Sequence, residues 1–248
     1  QRQMCIRDSS AVAAAAHVII LVFSKDLGSA VIFFAGYLIM VFIATKNYFY
    51  LFAGILGGAG ASIVAYHMFS HVRTRVIAFL HPWSNINDSG YQITQSLFAI
   101  GTGGWFGLGI DQGDPTSIPY VEQDFVFSAV AEEMGVIFGI CLILVCVSCF
   151  IVFMKIAMQL KEDFYRYIAV GISTIYIFQV FLTIGGGTRF IPLTGVTLPL
   201  VSYGGSSVLT TIIMFSIIQG LYCIQSQEGK RNVRKERRRT ADREAGEE

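Results

Sequence analysis

Long apolar stretches limit what this chain can fold into. A helix needs roughly 20 mostly apolar residues to cross the hydrocarbon core of a bilayer, and 54% of the 248 residues are hydrophobic while only 14% are charged. The stretches that reach or approach this length are residues 9–24, 27–44, 48–67, 125–154, 164–186 and 206–224. The first is marginal, because it is short and Ala-rich and carries His17. We therefore expect an all-α fold, a polytopic transmembrane helical bundle with about six spans in a single membrane domain, residues 10–224.

The two ends of the chain differ from this apolar middle. Residues 225–248 hold eight Lys or Arg and six Asp or Glu, a composition that predicts a disordered tail. No aromatic residue is interleaved with these charges, so nucleic acid is not an expected partner. Residues 1–9 resemble neither a signal peptide nor a span, and we treat them as a leader without a functional role.

The basic residues predict the orientation of the chain in its membrane. Because cytoplasmic segments are rich in Lys and Arg, the tail is expected on the cytoplasmic side. Counting spans back from it places residues 68–124 and 187–205 outside, and puts 14 Lys or Arg inside against four outside. Span parity and charge bias therefore give the same topology.

Two of the expected outside segments are apolar but too interrupted for a regular span. Residues 90–110, "GYQITQSLFAIGTGGWFGLGI", contain six glycines, and residues 187–205 contain two prolines and four glycines. Irregular backbone at membrane depth is tolerated where it is buried in protein or lines a cavity. We therefore expect irregular or re-entrant elements, with a short helix leading into a Gly-rich turn in the first segment, and a working surface on this side.

Acidic residues mark the start of the fourth apolar stretch. Asp124 stands at the expected membrane edge, where it is a candidate helix N-cap and a candidate general base, two roles that do not exclude each other. Glu132 and Glu133 lie two turns further on, and ionisable side chains in a span are costly and usually functional or paired. Successive helical residues point about 100° apart, so at most one of this pair faces a given site.

Two arginines run against the charge bias. Arg73 and Arg75 lie in an expected outside segment, and guanidinium groups suit phosphate or pyrophosphate recognition. Salt bridges to Asp26 or Glu122, or arginines reaching to the membrane interface, explain them equally well. No metal-binding signature accompanies them in the sequence.

Five motifs occur in an order that resembles one family of proteins. They are "KDLGSAVIFF" (25–34), "RVIAFLHPWSN" (75–85), "GYQITQSLFAIGTGGWFGLG" (90–109), "DFVFSAVAEEMG" (124–135) and "PLTGVTLPLVSYGGSS" (192–207). Together they resemble the SEDS family of bacterial cell-wall proteins, which serve shape, elongation, division and sporulation. The resemblance covers residues 20–224. Since family members typically have ten spans, the chain looks like the C-terminal part of such a protein.

The resemblance implies a peptidoglycan glycosyltransferase that polymerises lipid II at the outer face of the bacterial cytoplasmic membrane, in elongation, division or sporulation. It implies an inverting transfer in which Asp124 is the catalytic base on the acceptor hydroxyl. Residues in or beside the matching motifs become candidates for substrate binding: Arg73, Arg75, Gln95, Glu133 and Ser206. No cofactor is implied, although a divalent metal could share the stabilisation of the leaving pyrophosphate. The implied partner is a class B penicillin-binding protein, a transpeptidase.

Two other functions fit parts of the pattern. Intramembrane acids and broken segments also suit a lipid II flippase, and the helices alone suit a scaffold that recruits a penicillin-binding transpeptidase. A flippase needs polar groups along the whole crossing path, whereas here they cluster at the expected outer end. This clustering favours chemistry over transport.

Overall fold

Helices make up the regular structure of this chain. The computed structural model describes the backbone of residues 2–86 and 88–244 and the side chains of residues 11–86 and 88–227. The α-helices in these ranges are α1 (Arg2–Phe23), α2 (Leu27–Thr45), α3 (Tyr48–Met68), α4 (Ser70–Leu80), α5 (Tyr91–Gly103), α6 (Val126–Gln159), α7 (Asp163–Gly187) and α8 (Gly205–Glu244). Short 3₁₀ turns lie at Trp83–Asn85 and Pro115–Ser117. The predicted all-α class is confirmed.

Five helices in the described part are long and apolar enough to cross a membrane. They are α2, α3, α6, α7 and the Gly205–Gln227 part of α8, and each matches a predicted span. The marginal first stretch forms a shorter apolar helix, Ala11–Phe23, within α1. The fold is therefore that of a polytopic helical membrane protein.

The charged tail was predicted to be disordered, but helix α8 continues through it as far as Glu244. Lys, Arg and Glu are good helix formers, and Gly229 is the only Gly or Pro in residues 221–245. The predicted leader, residues 1–9, lies outside the residues whose side chains the structure describes.

The core lies between α6, α7 and the first half of α8. Phe153, Tyr176 and Phe215 meet edge-on there, with ring centroids 4.9 to 5.9 Å apart, a favourable arrangement for aromatic pairs. Helix α2 packs on α7, and α1 and α3 pack on α2. None of the residues of α3 is buried, so its apolar surface faces the surroundings of the bundle.

One end of the bundle gathers the non-spanning segments, and we call it the site end: residues 24–26, 69–125 and 188–204. Helix α5 has 13 residues and runs into the Gly-rich turn, as predicted. Residues 188–204 are non-helical, also as predicted. Helix α4 was not expected, because its 11 residues mix polar and apolar types with little apolar length.

Helix α6 is broken at Gly135, which corrects the continuous span predicted for residues 125–154. Gly135 has φ 84° and ψ 168°, far from helical values. The Gly-rich turn after α5 fills the break and exchanges backbone hydrogen bonds with both halves. Leu108 N–H donates to the Glu132 carbonyl (2.9 Å), and Val136 N–H donates to the Gly104 carbonyl (3.0 Å). Buried backbone groups that the break releases from the helix are thus bonded again.

The glycines at this break are required by close approach. A Cβ on Gly107 (φ 80°) would overlap the backbone carbonyl of Glu133, and a Cβ on Gly135 would overlap the backbone of residues 105–107. Two carboxylates of α6 hold the rest of the turn. Glu132, 7% exposed, accepts from the Asp114 N–H, and Glu133 accepts from the Asp111 N–H, both at 3.3 Å.

We expect Gly107→Ala to lower the free energy of unfolding by about 2 kcal/mol, because alanine strains the positive φ and meets backbone rather than a movable side chain. Thermal or denaturant unfolding in detergent measures the change. The control is Gly101→Ala, in α5, where a Cβ has open space. It should raise stability by up to about 1 kcal/mol. Equal effects of the two substitutions would contradict this account of the break.

Candidate active site

Asp124 lies at the site end, two residues before α6 begins. It lines a cavity of about 440 Å³ together with residues from α4, α5 and the segment 188–204. Among the other lining residues are Arg75, Gln92, Tyr120, Gln123 and Gly195. The cavity is open to one side, so a polar ligand can reach the carboxylate.

The environment of Asp124 favours its protonated form more than water does. Burial raises the pKa of this carboxyl above its ordinary value, while its own backbone N–H and the Arg75 guanidinium partly offset the rise. A carboxylate with a raised pKa is a stronger proton acceptor than an ordinary aspartate. A raised pKa is the property that the predicted role of Asp124 as a general base requires.

The alternative role of Asp124 as a helix cap is wrong. Phe125 occupies the N-cap position of α6, and no side chain caps this helix. Phe125 is fully buried beside Ile118 and Ala99, which fixes the chain just after Asp124. The carboxylate is thus positioned by neighbouring packing and left free to face the cavity.

Arg75 connects α4 to the non-helical segment next to Asp124. Its Nη1 donates to the Thr194 carbonyl at 2.9 Å and to the Leu193 carbonyl at 3.4 Å. A Cβ on Gly195 would lie 3.7 Å from Arg75 Nη2 and 4.0 Å from Asp124 Oδ2. The guanidinium and the carboxylate therefore both lie close to the space beside Gly195.

The structure does not support salt bridges as the reason for the two arginines. In the described part of the chain, the ion pair within 4.0 Å joins Arg166 and Asp163 at the other end of the bundle. Asp26 instead caps α2 by accepting from the Ser29 N–H at 3.0 Å. Arg75 therefore lies near Asp124, but it forms no ion pair within 4.0 Å with any acid in the described part of the chain.

Arg189 makes a second connection, which the sequence did not indicate. Its Nε donates to the Phe79 carbonyl at 3.0 Å and its Nη2 to the Leu80 carbonyl at 3.3 Å, at the end of α4. Cationic donors at a helix C-terminus satisfy free carbonyls and favour the helix dipole. Helix α4 and the segment 188–204 are thus held together in both directions, by Arg75 and by Arg189.

A second cavity, of about 580 Å³, adjoins the first. Gln123 and Gly195 line both, so Asp124 stands next to their junction. Hydroxyl and amide side chains dominate the polar lining of the second cavity, including Ser206, Ser207, Thr197, Thr210 and Gln179. Such groups suit hydrogen bonds to a sugar. The predicted residue Ser206 lies here.

Three predicted substrate-binding residues do not line either cavity. Arg73 lies over the Tyr66 ring, 5.7 Å from its centroid. Gln92, one turn earlier in α5, lines the first cavity in place of Gln95. Glu133 accepts from the turn at the helix break. Substrate binding by these three residues stays a prediction that the geometry does not favour.

Metal binding has no ready-made centre in the described residues. Within residues 11–86 and 88–227, no group of three or more His, Cys, Asp and Glu side chains is placed to hold one ion.

These features define a polytopic membrane protein with a half-buried carboxylate in the first of two adjoining cavities at one end of its helical bundle. The sequence gives the family directly. The chain belongs to the FtsW/RodA/SpoVE family of cell cycle proteins, whose sequence model matches residues 2–227.

Curated relatives carry names of two kinds. The peptidoglycan glycosyltransferase RodA of Mycobacterium tuberculosis (strain ATCC 25618 / H37Rv) is 38% identical over 200 residues, 80% of this chain and 42% of the relative. The probable peptidoglycan glycosyltransferase FtsW of Aliivibrio salmonicida is 36% identical over 205 residues, 80% of this chain and 51% of the relative. The chain thus spans about half the length of the curated relatives it matches.

The fold also matches a solved structure. That chain comes from work on the structural coordination of polymerization and crosslinking by a peptidoglycan synthase complex. The TM-score is 0.74 at 25% sequence identity, and the match covers 88% of this chain and 61% of the other. The similarity therefore extends to most of the bundle described above.

We expect Arg75→Gln to raise the pKa of Asp124 further, because the guanidinium now lowers it. Infrared titration of the carboxyl band, assigned by its loss in Asp124→Asn, measures the shift. Arg73→Gln is the matched control on the same helix, since Arg73 lies over Tyr66 instead. An Asp124 pKa that moves equally in both variants would show that Arg75 has no special position.

Proposed function

We propose that this chain carries the active site of a peptidoglycan glycosyltransferase, which polymerises lipid II into glycan strands. The observation that carries the proposal is the position of Asp124, a carboxylate of raised pKa at the junction of two cavities. One cavity for each sugar substrate is what a transfer between two glycosides needs. The names of the relatives support the same reaction.

The reaction follows from a base between two sugars. The carboxylate of Asp124 takes the proton from the 4-hydroxyl of the acceptor sugar as its oxygen bonds to C1 of the donor sugar. The bond from C1 to the pyrophosphate oxygen breaks, and its electron pair leaves with polyprenyl pyrophosphate. Because attack and departure occur on opposite faces of C1, the configuration inverts. A positioned base contributes about 10²–10⁴-fold to such a rate.

Arg75 is the cation best placed to assist. It lies beside Gly195, as Asp124 does, and only its Nη1 is engaged by backbone carbonyls among the described residues. A fixed positive charge near a departing pyrophosphate stabilises the negative charge that develops there. The reaction as written uses no cofactor, because pyrophosphate is already a good leaving group.

The membrane setting completes the proposal. We place the site end on the outer face of the bacterial cytoplasmic membrane and the C-terminus in the cytoplasm, as the distribution of Lys and Arg favours. The proposed partner is a class B penicillin-binding transpeptidase. The solved structure of a synthase complex that couples polymerization with crosslinking supports such a pairing.

Asp124→Asn should lower lipid II polymerisation by about 10²–10⁴-fold, because the amide cannot accept the proton. Glycan strands made from labelled lipid II, with the transpeptidase present, are the measurement. Glu122→Gln is the control, since this exposed acid lies two residues away and outside both cavities. Strands from Asp124→Asn at the wild-type rate would remove Asp124 as the base. Lipid II crossing liposomes without any strands would favour a flippase.

A protease-cleavable tag after residue 248 should be protected in intact cells and cut in permeabilised ones. The expectation rests on the basic tail, which favours the cytoplasmic side. Immunoblotting reads out the cleavage, and a tag inserted in the expected outside segment near residue 113 is the positive control. Cleavage of the C-terminal tag in intact cells would place Asp124 on the wrong side of the membrane.

A further inference from the structure

Three segments meet beside the two cavities: the turn between α1 and α2, the start of α4 and the backbone around Thr194. The Phe23 ring lies 5.7 Å from the Phe69 ring, and Phe69 lies 5.5 Å from the His71 ring. A Cβ on Gly28 would lie 3.0 Å from the Thr194 carbonyl oxygen, so the start of α2 touches Thr194 directly. Arg75 donates to the same carbonyl. We call this meeting point the basic junction.

Lys25 occupies a backbone conformation in this junction that favours glycine. Its φ is 65°, and it closes α1 by donating to the Val22 carbonyl at 3.1 Å, while Asp26 donates to the Leu21 carbonyl at 3.0 Å. Glycine is the usual residue at such a helix end because a side chain is strained there. A Lys25→Gly substitution therefore removes the ammonium without adding backbone strain.

The junction also holds unused hydrogen-bonding groups. The Nε2 of His71 and the Oγ1 of Thr194 are buried and have no hydrogen-bond partner among the described residues. In the same part of the chain, Nη2 and Nε of Arg75 donate no hydrogen bond. Buried polar groups are nearly always bonded, so His71 Nε2 and Thr194 Oγ1 point to a ligand that accepts hydrogen bonds. Arg75 has further N–H groups available for the same ligand.

The electrostatics of the junction are those of an anion site. Burial, Arg75 and Lys25, in that order, lower the pKa of His71, which keeps its ring neutral beside two cations. Asp26 is the nearest acid on the turn, and its carboxylate is engaged by the Ser29 N–H. Asp124 lies beside Gly195. An anion bound here relieves the repulsion between the two cations.

We propose that the basic junction binds the diphosphate group of the polyprenyl-linked donor sugar, with Lys25, Arg75 and Thr194 as its donors. The inference rests on the proposed function, and it gives the leaving group a place there. His71 donates a fourth hydrogen bond through Nε2. Lys25 thereby takes the position that the sequence assigned to Arg73.

The surroundings fit both ends of such a ligand. Exposed apolar side chains of α1, namely Ile19, Ile20 and Phe23, lie within two turns of Lys25 toward the membrane and suit a polyprenyl chain. On the other side, Leu21, Asp26 and Ser29 line the entrance of the second cavity. A sugar attached to the diphosphate then occupies the second cavity, and C1 lies toward Asp124.

The test measures binding of farnesyl pyrophosphate to the chain in phosphatidylcholine nanodiscs. Lys25→Gly suits the purpose, because glycine removes the ammonium and relaxes the turn. Lys46→Gly is a matched control: Lys46 ends α2 with φ 52°, in the same left-handed conformation, at the opposite end of that helix. We expect Lys25→Gly to weaken binding about tenfold, as for one lost charge-assisted hydrogen bond, and Lys46→Gly to leave it unchanged.

Other results would overturn the assignment. Wild-type affinity in Lys25→Gly would exclude the junction as the diphosphate site. Inorganic pyrophosphate binding as tightly as the farnesyl compound would contradict a lipid-linked ligand, and equal competition by phosphatidylglycerol nanodiscs would indicate a general site for anionic lipids. Thr194→Val gives an independent check, since it keeps the shape but removes the hydroxyl; it should weaken binding several-fold.

The same preparation separates this inference from the proposed function. Asp124→Asn makes no strands, but it should bind farnesyl pyrophosphate at least as tightly as wild type, because it removes a negative charge near Arg75. If the wild type makes glycan strands but Lys25→Gly does not change binding, the proposed glycosyltransferase function stands and the diphosphate site at the basic junction is rejected. If binding depends on Lys25 but the wild type makes no glycan strands, the diphosphate site at the basic junction stands and the proposed glycosyltransferase function is rejected.

Discussion

The break in α6 depends on a rule of membranes, where a backbone N–H or carbonyl without a partner costs several kcal/mol. Gly135 releases such groups from the helix, and the Gly-rich turn after α5 bonds them again. That exchange fixes where α5 ends relative to α6, and hence where residues 110–124 run. The position of Asp124 thus depends on a set of backbone bonds that only glycines allow.

In the segment 188–204, side chains rather than backbone groups provide the hydrogen-bond partners of the irregular backbone. It has no regular structure, yet its carbonyls accept from Arg75, from Gln179 at 3.0 Å and from Thr183 at 2.8 Å. The reverse contact, from Arg189 to the end of α4, uses the backbone of the neighbour. Irregular backbone can therefore lie inside the bundle, and it brings Gly195 close to both Arg75 and Asp124. A helix in its place would have closed the space in which the two cavities join.

The sequence predicted what apolar length and charge determine. Local sequence patterns are enough to predict the five spans and the irregular segments. They also place Arg75 near the cavity at the site end. The choice between Arg73 and Arg75, or between Gln92 and Gln95, depends on the rotation of α4 and α5, which is set by packing against distant residues. The break at Gly135 was missed for a similar reason. Isolated glycines are common in membrane helices, and its partner, the turn at residues 104–109, lies some 30 positions earlier in the chain.

The position of the break in α6 also determines how much of the helix is available to cross the membrane. From Val136 to Gln159 the helix rises about 36 Å at 1.5 Å per residue, enough to cross a hydrocarbon core of about 30 Å unaided. Exposed apolar side chains such as Ile137 and Phe138 follow the break, whereas Phe127, Ser128 and Ala131 before it are covered by protein. The first turns of α6, from Val126 to Gly135, therefore extend about 15 Å beyond the acyl chains. Asp124, two residues before α6 begins, is thereby held beyond these first turns, away from the acyl chains.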